Sequence, residues 1–461
     1  MAVQLPESVR QHYESLVDQL QGQYRQLPAD RPVRLAKKTS NLFRVRQPAA
    51  GAALDVSGFS GVLHVDAEAR TADVLGMTTY EELVDETLAY GLMPLVVPEL
   101  KTITLGGAVT GLGVESTSFR NGCPHESVLE MDVLTGTGDV VTVTPDGGHA
   151  DLFHGFPNSY GSLGYALRLR IELQPVRPFV ALRHVRVPTA GAAADLFADV
   201  VESGRYEGSA VDFLDGAVYS EDDIVVTLGS FVDEAPYTSD YTGQQIYYRS
   251  QQTRRTDYLT VRDYLWRWDT DWFWCSRALG VQRPMIRRLI PNRYLRSDVY
   301  FRAVGWERRN GFLARVDRMR GKPLRETVIQ DIEVPIQALP EFLTFFHNRV
   351  GILPIWLCPM RQRDPDARWD LYQFDPATTY VNVGFWSSVE RSDDEAPDAV
   401  NRAIEAEVDR LGGRKSLYSD AFYDEDDFWR IYNGEAYRRL KKEYDPDSRF
   451  LDLYAKTVGR G

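Results

Sequence analysis

Apolar residues recur at helical spacing at Val9, Tyr13, Leu16 and Leu20, which predicts a helix over Glu7–Gln26. Short β-like runs follow at VRLA (near Val33), GVLHVD (near Val62) and TADVLG (near Val74). A second helix is expected over Tyr80–Tyr90, with Thr79 as N-cap and Glu82 three residues on. The unbroken apolar run MPLVVP, Met93–Pro98, reads as a buried strand. After a glycine-rich block, VLEMDVLTGTGDVVTVTP predicts strand, glycine turn and strand, and YALRLRIELQP alternates over Tyr165–Pro175. Pro175 and Pro178 mark a boundary. Between Phe179 and Tyr418, strand patterns (ALRHVRV, DIVVTLGSFV, VIQDIEVPI, YVNVGFW) mix with helical ones (GAAADLFADVVESG, LPEFLTFFHNRV, DAVNRAIEAEVDRLGG). That mixture predicts a second α/β domain around an antiparallel sheet. The end of the chain reads as helical and polar-aromatic, and there is no internal repeat.

Composition adds limits. With 461 residues, 43% hydrophobic and 26% charged, the chain has ordinary globular make-up and length for more than one domain. A net charge of −13 argues against general nucleic-acid binding. The charge is uneven: residues 251–325 carry 18 Lys+Arg against 7 Asp+Glu, leaving −24 for the rest. The same window holds Trp266, Trp268, Trp272, Trp274 and Trp306, five of the nine tryptophans. The three cysteines, Cys123, Cys275 and Cys358, form no CxxC pair. A disulfide framework or zinc site is therefore not expected, no metal is expected, and a reducing compartment fits. No signal peptide is legible, and no apolar run reaches the roughly 18 residues of a membrane span. A soluble cytoplasmic protein is expected, or one peripheral on the inner face of the cell membrane.

The glycine block Thr104-Leu-Gly-Gly-Ala-Val-Thr-Gly-Leu-Gly113 offers backbone N–H groups that glycine allows to approach a phosphate closely. Taken alone, it fits a tight turn or a helix-packing surface equally well, since it does not match GxGxxG.

Its neighbours narrow the reading. The segments PELKTITLGGAVTGLG, DLFHGFPNSYGSLGYALRLRIEL and, near the end, YRRLKKEYDPDSRF occur in that order. Together they resemble the vanillyl-alcohol-oxidase-type (p-cresol-methylhydroxylase-type) FAD-binding family. Within it, RLAKKTSN (Arg34–Asn41), PELKTITLGGAVTGLGVESTSFRNG, IQDIEVPIQAL, LPIWLCP and LYSDAFYDEDDFWRIYNG resemble the Δ24-sterol reductase-like branch. The chain looks closest to actinobacterial members that reduce 10-methylene-fatty-acyl lipids to 10-methyl ones. The resemblance implies an α+β fold: a two-subdomain FAD-binding domain (1–178), a substrate or cap domain with an antiparallel sheet (179–420, with the basic Trp-rich insert 251–325), and a C-terminal segment (421–461) returning to the first domain. It implies cofactor contacts from Lys38, Thr39, Ser40, Asn41, Thr104, Leu105, Gly106, Gly107, Gly111, Gly113, Glu115, Ser116, Ser118, Gly161, Ser162, Gly164 and Ile171. Arg34, Lys37 and Arg120 are further candidates for the pyrophosphate or the flavin ring, or else solvated surface. The first loop and the residues 111–118 contain no His or Cys, so the FAD is expected to be non-covalent. Cys123 and His125 are the nearest residues able to tether it.

The implied reaction is reduction of a lipid C=C bond, which needs a hydride at one carbon and a proton at the other. Candidate acids from the family-like segments are Tyr418, Glu333 and Asp331, with Asp420 and Tyr423 behind them. Each also fits an ordinary structural role, a strand-edge carboxylate or a core tyrosine. NADPH or NADH is expected as a transient electron donor, because no second nucleotide-binding fingerprint is visible. The Trp- and Arg-rich stretch 262–296 suits either docking on an anionic membrane or internal packing, an oligomer interface included. The runner-up function is an FAD-dependent oxidase or dehydrogenase of an alcohol or sugar.

Overall fold

The computed structural model describes residues 5–37, 43–44, 51–310, 323–392 and 394–458. The predicted first helix forms over Glu7–Gln26, and Tyr80–Leu88 is capped by Thr79, whose hydroxyl accepts from Glu82 N. A first sheet follows the order Val62–Asp66, Thr71–Leu75, Tyr165–Pro175, Val128–Leu134, Val140–Val143, all antiparallel. Leu92–Pro94 pairs with the far end of Tyr165–Pro175.

MPLVVP is thus a strand only at its start. Beyond it, the Leu95 carbonyl accepts from Thr117 Oγ1 (2.8 Å) and Asn121 Nδ2 (2.7 Å) instead of a neighbouring strand. Side chains have replaced the ladder, and the chain turns away.

The second sheet has eight strands in the order Thr256–Thr260, Phe179–Val187, Asp223–Val232, Phe213–Ser220, Ile355–Met360, Tyr380–Arg391, Leu324–Pro335, Arg414–Lys415, again antiparallel. Helices Ala190–Ser203, Leu339–Arg349 and Ala399–Arg410 bury their apolar stripes with one set of its residues, including Leu214, Val226, Val328 and Val383. Another set, with Phe213, Trp356 and Trp386, shares a continuous core with the first domain and the tryptophan-rich stretch. Trp266, Trp268, Trp272 and Trp274 all lie inside that core, whereas Trp306 is exposed. The aromatic half of residues 262–296 is therefore packing, not surface.

The C-terminal segment runs back onto the first domain. Asp445 accepts from Arg449 N (2.7 Å) and Phe450 N (2.9 Å), and Tyr444 donates to Asp151 Oδ1 (2.7 Å). No helix among the described residues is long and apolar enough to cross a membrane, and all three cysteines carry free thiols.

Candidate functional site

The glycine block is a short helix, Leu105–Gly111, with the Thr104 hydroxyl accepting from Gly107 N. Gly106 is needed for close approach. Its N–H donates to Gly76 O at 2.9 Å, and a Cβ there would stand 2.7 Å from that same oxygen. The second stretch, around Gly161–Gly164, meets the first directly. Tyr160 N donates to Thr110 O (3.0 Å), and its hydroxyl donates to Gly111 O. Gly164 has φ +158, and a Cβ would stand 2.5 Å from Val133 Cγ1 and 2.8 Å from Leu134 O, so no other residue fits. Two lysines of the C-terminal segment hold this stretch from behind: Lys441 Nζ donates to Ser162 O (2.8 Å) and Lys456 Nζ to Gly161 O (2.6 Å).

Buried polar atoms with no protein hydrogen-bond partner gather here: Thr110 Oγ1, Asn158 Oδ1, Ser159 Oγ and, on the adjoining strand-like bridge to Phe43, Ser419 Oγ. Unpartnered buried polar atoms also occur elsewhere, around Arg267 and the tryptophans among other places, but here three of them, Thr110 Oγ1, Asn158 Oδ1 and Ser159 Oγ, belong to or adjoin the two glycine stretches, where a polar ligand would satisfy them. The residues present therefore fit a dinucleotide.

The other predicted residues fall in several places. Leu105 and Ile171 are core, Ile171 pairing with Ala72 and Val128 in the first sheet. Gly113 lies in ordinary contact with Pro98 and Pro124. Ser118 Oγ accepts from Glu115 N (3.0 Å), and Ser116 Oγ is 2.9 Å from the Tyr264 hydroxyl. Glu115 faces Arg267 at 3.5 Å. Arg120 donates to Asp212 O and Gln174 Oε1. Lys38, Thr39, Ser40 and Asn41 lie outside the described residues. Cys123 is buried with Met360 and Tyr380, and burial pushes its thiol well up. His125 packs edge-on against Trp369 at 4.4 Å, and burial pushes its imidazole down to about 3. Burial thus disfavours the Cys123 thiolate, the nucleophilic form of that residue.

On strand Leu324–Pro335, Asp331 and Glu333 are two apart and so share a face. Glu333 is 1% exposed, whereas Asp331 and Tyr418 keep partial access. The Tyr372 hydroxyl and Ser416 Oγ (3.0 Å) donate to Glu333. Asn382 Nδ2 donates to Asp331 Oδ1 (3.2 Å). Trp386 Nε1 donates to the Tyr418 oxygen (2.7 Å), which leaves the Tyr418 proton free to point at Asp331. Gly384 makes room, since a Cβ there would stand 2.4 Å from Asp331 Oδ1. Burial pushes Asp331 up to about 6. Burial, and then the neighbouring Asp331 charge, pushes Glu333 up to about 8.

Tyr160 links the second glycine stretch to the region of this pair. Tyr160, whose hydroxyl burial pushes up, also feels the charges of Glu333 and Asp331 and touches the backbone of Leu417. Phe43 N donates to Tyr418 O (3.1 Å). Asp420 and Tyr423 lie off this face: the Asp420 carbonyl accepts from buried Lys415, and the Tyr423 ring packs on Tyr432. Tyr160 lies in the family-like segment DLFHGFPNSYGSLGYALRLRIEL and Asn382 and Trp386 in the predicted strand YVNVGFW, but nothing in the sequence singled these three, Tyr372 or Ser416 out as partners, because the contacts join segments distant in the chain.

Comparison with known proteins bears on the ligand. Residues 18–144 match the family model described as an FAD binding domain. The chain is 26% identical over 413 residues to the Delta(24)-sterol reductase of Homo sapiens, covering 86% of this chain and 75% of that protein. It is 24% identical over 449 residues to the Delta(24)-sterol reductase of Arabidopsis thaliana, covering 88% and 76%. Cytokinin dehydrogenase 9 of Oryza sativa subsp. japonica is 35% identical over 108 residues, 23% of this chain and 20% of that protein. With the glycine stretches joined and lined by unpartnered polar atoms, residues 18–144 carry an FAD binding domain, and the chain is an FAD-dependent oxidoreductase of α+β fold.

Proposed function

We propose that the protein reduces an isolated C=C bond in a lipid, with NADPH or NADH as electron donor and FAD held non-covalently. The observation that carries this is the buried carboxylate pair Asp331–Glu333, which among the described residues accepts side-chain hydrogen bonds from neutral donors. When bound, the flavin supplies the hydride equivalent. Thr104–Gly113 and Tyr160–Gly164 are the stretches that would hold it.

The second requirement is a proton, and this chain's residues are arranged to keep one. Burial pushes Glu333 to about 8, so it keeps its proton at neutral pH, while Asp331 at about 6 is protonated only in part there. Glu333, sealed from solvent, stays protonated beside Asp331 and adds no charge of its own; Asp331, partly open and next to Tyr418, takes up a proton from solvent and in its protonated form delivers it to the alkene carbon that does not receive the hydride. The Tyr418 hydroxyl, fixed by Trp386, orients the Asp331 carboxyl.

The acceptor we favour is the methylene group of a 10-methylene-fatty-acyl lipid, giving a 10-methyl chain. A sterol side-chain alkene is the second reading, supported by the names of the relatives. The test is anaerobic: purified protein is bleached by NADPH and then mixed with methylene phospholipid, a Δ24-sterol, or oxygen. Rapid recolouring by the phospholipid is expected. Rapid recolouring by oxygen alone would replace this reading with an oxidase.

A further inference from the structure

The stretch between the buried tryptophans and helix Ser297–Asn310 carries six arginines and no carboxylate from Arg277 to Ser297. Two of these are committed: Arg287 is buried against Asp271 (2.6 Å), and Arg296 pairs with Glu81 (2.7 Å). The other four, Arg277, Arg283, Arg288 and Arg293, are exposed, and none has a carboxylate partner among the described residues. At the centre of them stands the turn of helix Pro284–Leu289, with Met285 82% and Leu289 83% exposed. Ten large hydrophobic residues are exposed among the described residues, and five of them lie between Leu279 and Tyr294. Clustered exposed apolar side chains mark an interaction site.

We infer that this knuckle docks on an anionic phospholipid bilayer, with Met285 and Leu289 entering the headgroup–acyl boundary and Arg283, Arg288 and Arg293 on the phosphates. Charge decides the occupant. Residues outside 251–325 carry −24, so an anionic surface attracts the basic window that holds this face and repels the rest of the chain. Two copies meeting through the patch would set arginines against arginines, which opposes a dimer. Nucleic acid would meet the arginines but leave Met285 and Leu289 in water. A bilayer satisfies both.

The knuckle also leads inward. In the helix that follows, Phe301 packs against Phe43 and Trp272; Trp272 stacks on Phe43 at 5.2 Å, and Phe43 packs edge-on against Tyr418 at 5.9 Å. An apolar aromatic wall thus connects this region with the proton-donor face. The docking stands on the surface alone and does not depend on which alkene is reduced.

The test is co-sedimentation of the full-length holoprotein with vesicles of phosphatidylglycerol mixed with phosphatidylcholine, and of phosphatidylcholine alone. Binding only to the anionic vesicles, weakened by salt, is expected. The triple variant Arg283→Gln/Arg288→Gln/Arg293→Gln should lose on the order of a hundredfold in partition. Met285→Ser/Leu289→Ser should lose about tenfold or more. Flavin content and turnover of a dispersed substrate, unchanged in both, show that the fold is intact. Equal binding to both vesicle types, an unaltered triple variant, or a wild-type dimer that the Met285/Leu289 variant dissolves would each overturn the proposal. The last would assign the patch to a second copy.

Discussion

Among the buried acidic clusters of this molecule, two are built in different ways. Glu99 and Glu115 of the first domain and Asp215 of the second sheet surround the guanidinium of Arg267, at 3.0, 3.5 and 2.9 Å, and all four are nearly inaccessible. Asp331 and Glu333 have no cation among their hydrogen-bond partners, only Tyr372, Ser416, Asn382 and Tyr418. In both clusters burial pushes the carboxyls up; Arg267 opposes that push with a full charge, whereas the neutral donors on Asp331 and Glu333 oppose it only in part. The first cluster is a joint. It ties both domains to the tryptophan-rich stretch, with Arg267 also lying 3.9 Å over the Tyr264 ring. The second is, on the proposed reading, a proton store.

The largest expected effect tests the joint. Arg267→Met would leave three carboxylates buried without their cation and should lower unfolding stability by about 3–5 kcal/mol in urea titration. Glu99→Gln should cost far less, because burial and the neighbouring Glu115 already push Glu99 well up and so favour its protonated form. Equal losses from the two changes would erase the distinction between joint and store.

Next comes the store itself. Asp331→Asn should reduce lipid turnover on the order of a hundredfold, or about 2.7 kcal/mol of barrier, while FAD content and stability hold. If turnover survives and stability falls, Asp331 is a structural carboxylate like those around Arg267. Smaller again is Gly384→Ala. Its Cβ would stand 2.4 Å from Asp331 Oδ1 and 2.6 Å from a Trp386 ring carbon. Overpacking of that kind costs about 1–2 kcal/mol. Turnover should fall in step as the Asp331 carboxyl is displaced, measured with saturating NADPH.

The comparison also explains what the sequence made legible. Helix Glu7–Gln26 and strand Tyr165–Pro175 form where the pattern predicts, because each is long enough for its period to outvote context. Asp331 and Glu333 were candidates through the segment they lie in, but their character came from Tyr372, Ser416 and Asn382, far away in the chain. Arg267 carried no signal either: its partners lie 52 residues or more away in sequence, and an Arg among tryptophans reads alike whether exposed or buried. Arg287 shows the same limit, since its partner Asp271 sits on the other side of a turn.

The smallest effect is the most specific to the store, and its sign follows from the raised carboxyls. Glu333 stands at about 8 in the folded protein against an ordinary 4.5, and Asp331 at about 6 against 3.8. Between the ordinary and the raised value the folded state binds more protons than the unfolded chain, so stability is full below about 4.5 and declines as pH rises to about 8, then levels. A single group accounts for at most about 1.4 kcal/mol per pH unit within that window. Glu333→Gln cannot ionise, so its urea midpoint should depend less on pH than that of the wild type between about pH 5 and about pH 8, and the variant should gain on the wild type at the alkaline end. Turnover by the wild type should decline over the same alkaline range as the stored proton is lost, in a limb shared by the coupled pair and not owned by either residue. Burial also pushes up the carboxyls around Arg267, so the difference between wild type and Glu333→Gln, not the wild-type profile alone, isolates the share of Glu333. A Gln variant whose stability tracks the wild type at every pH would mean that Glu333 is ionised in the folded protein, and that the two clusters differ in partners but not in kind.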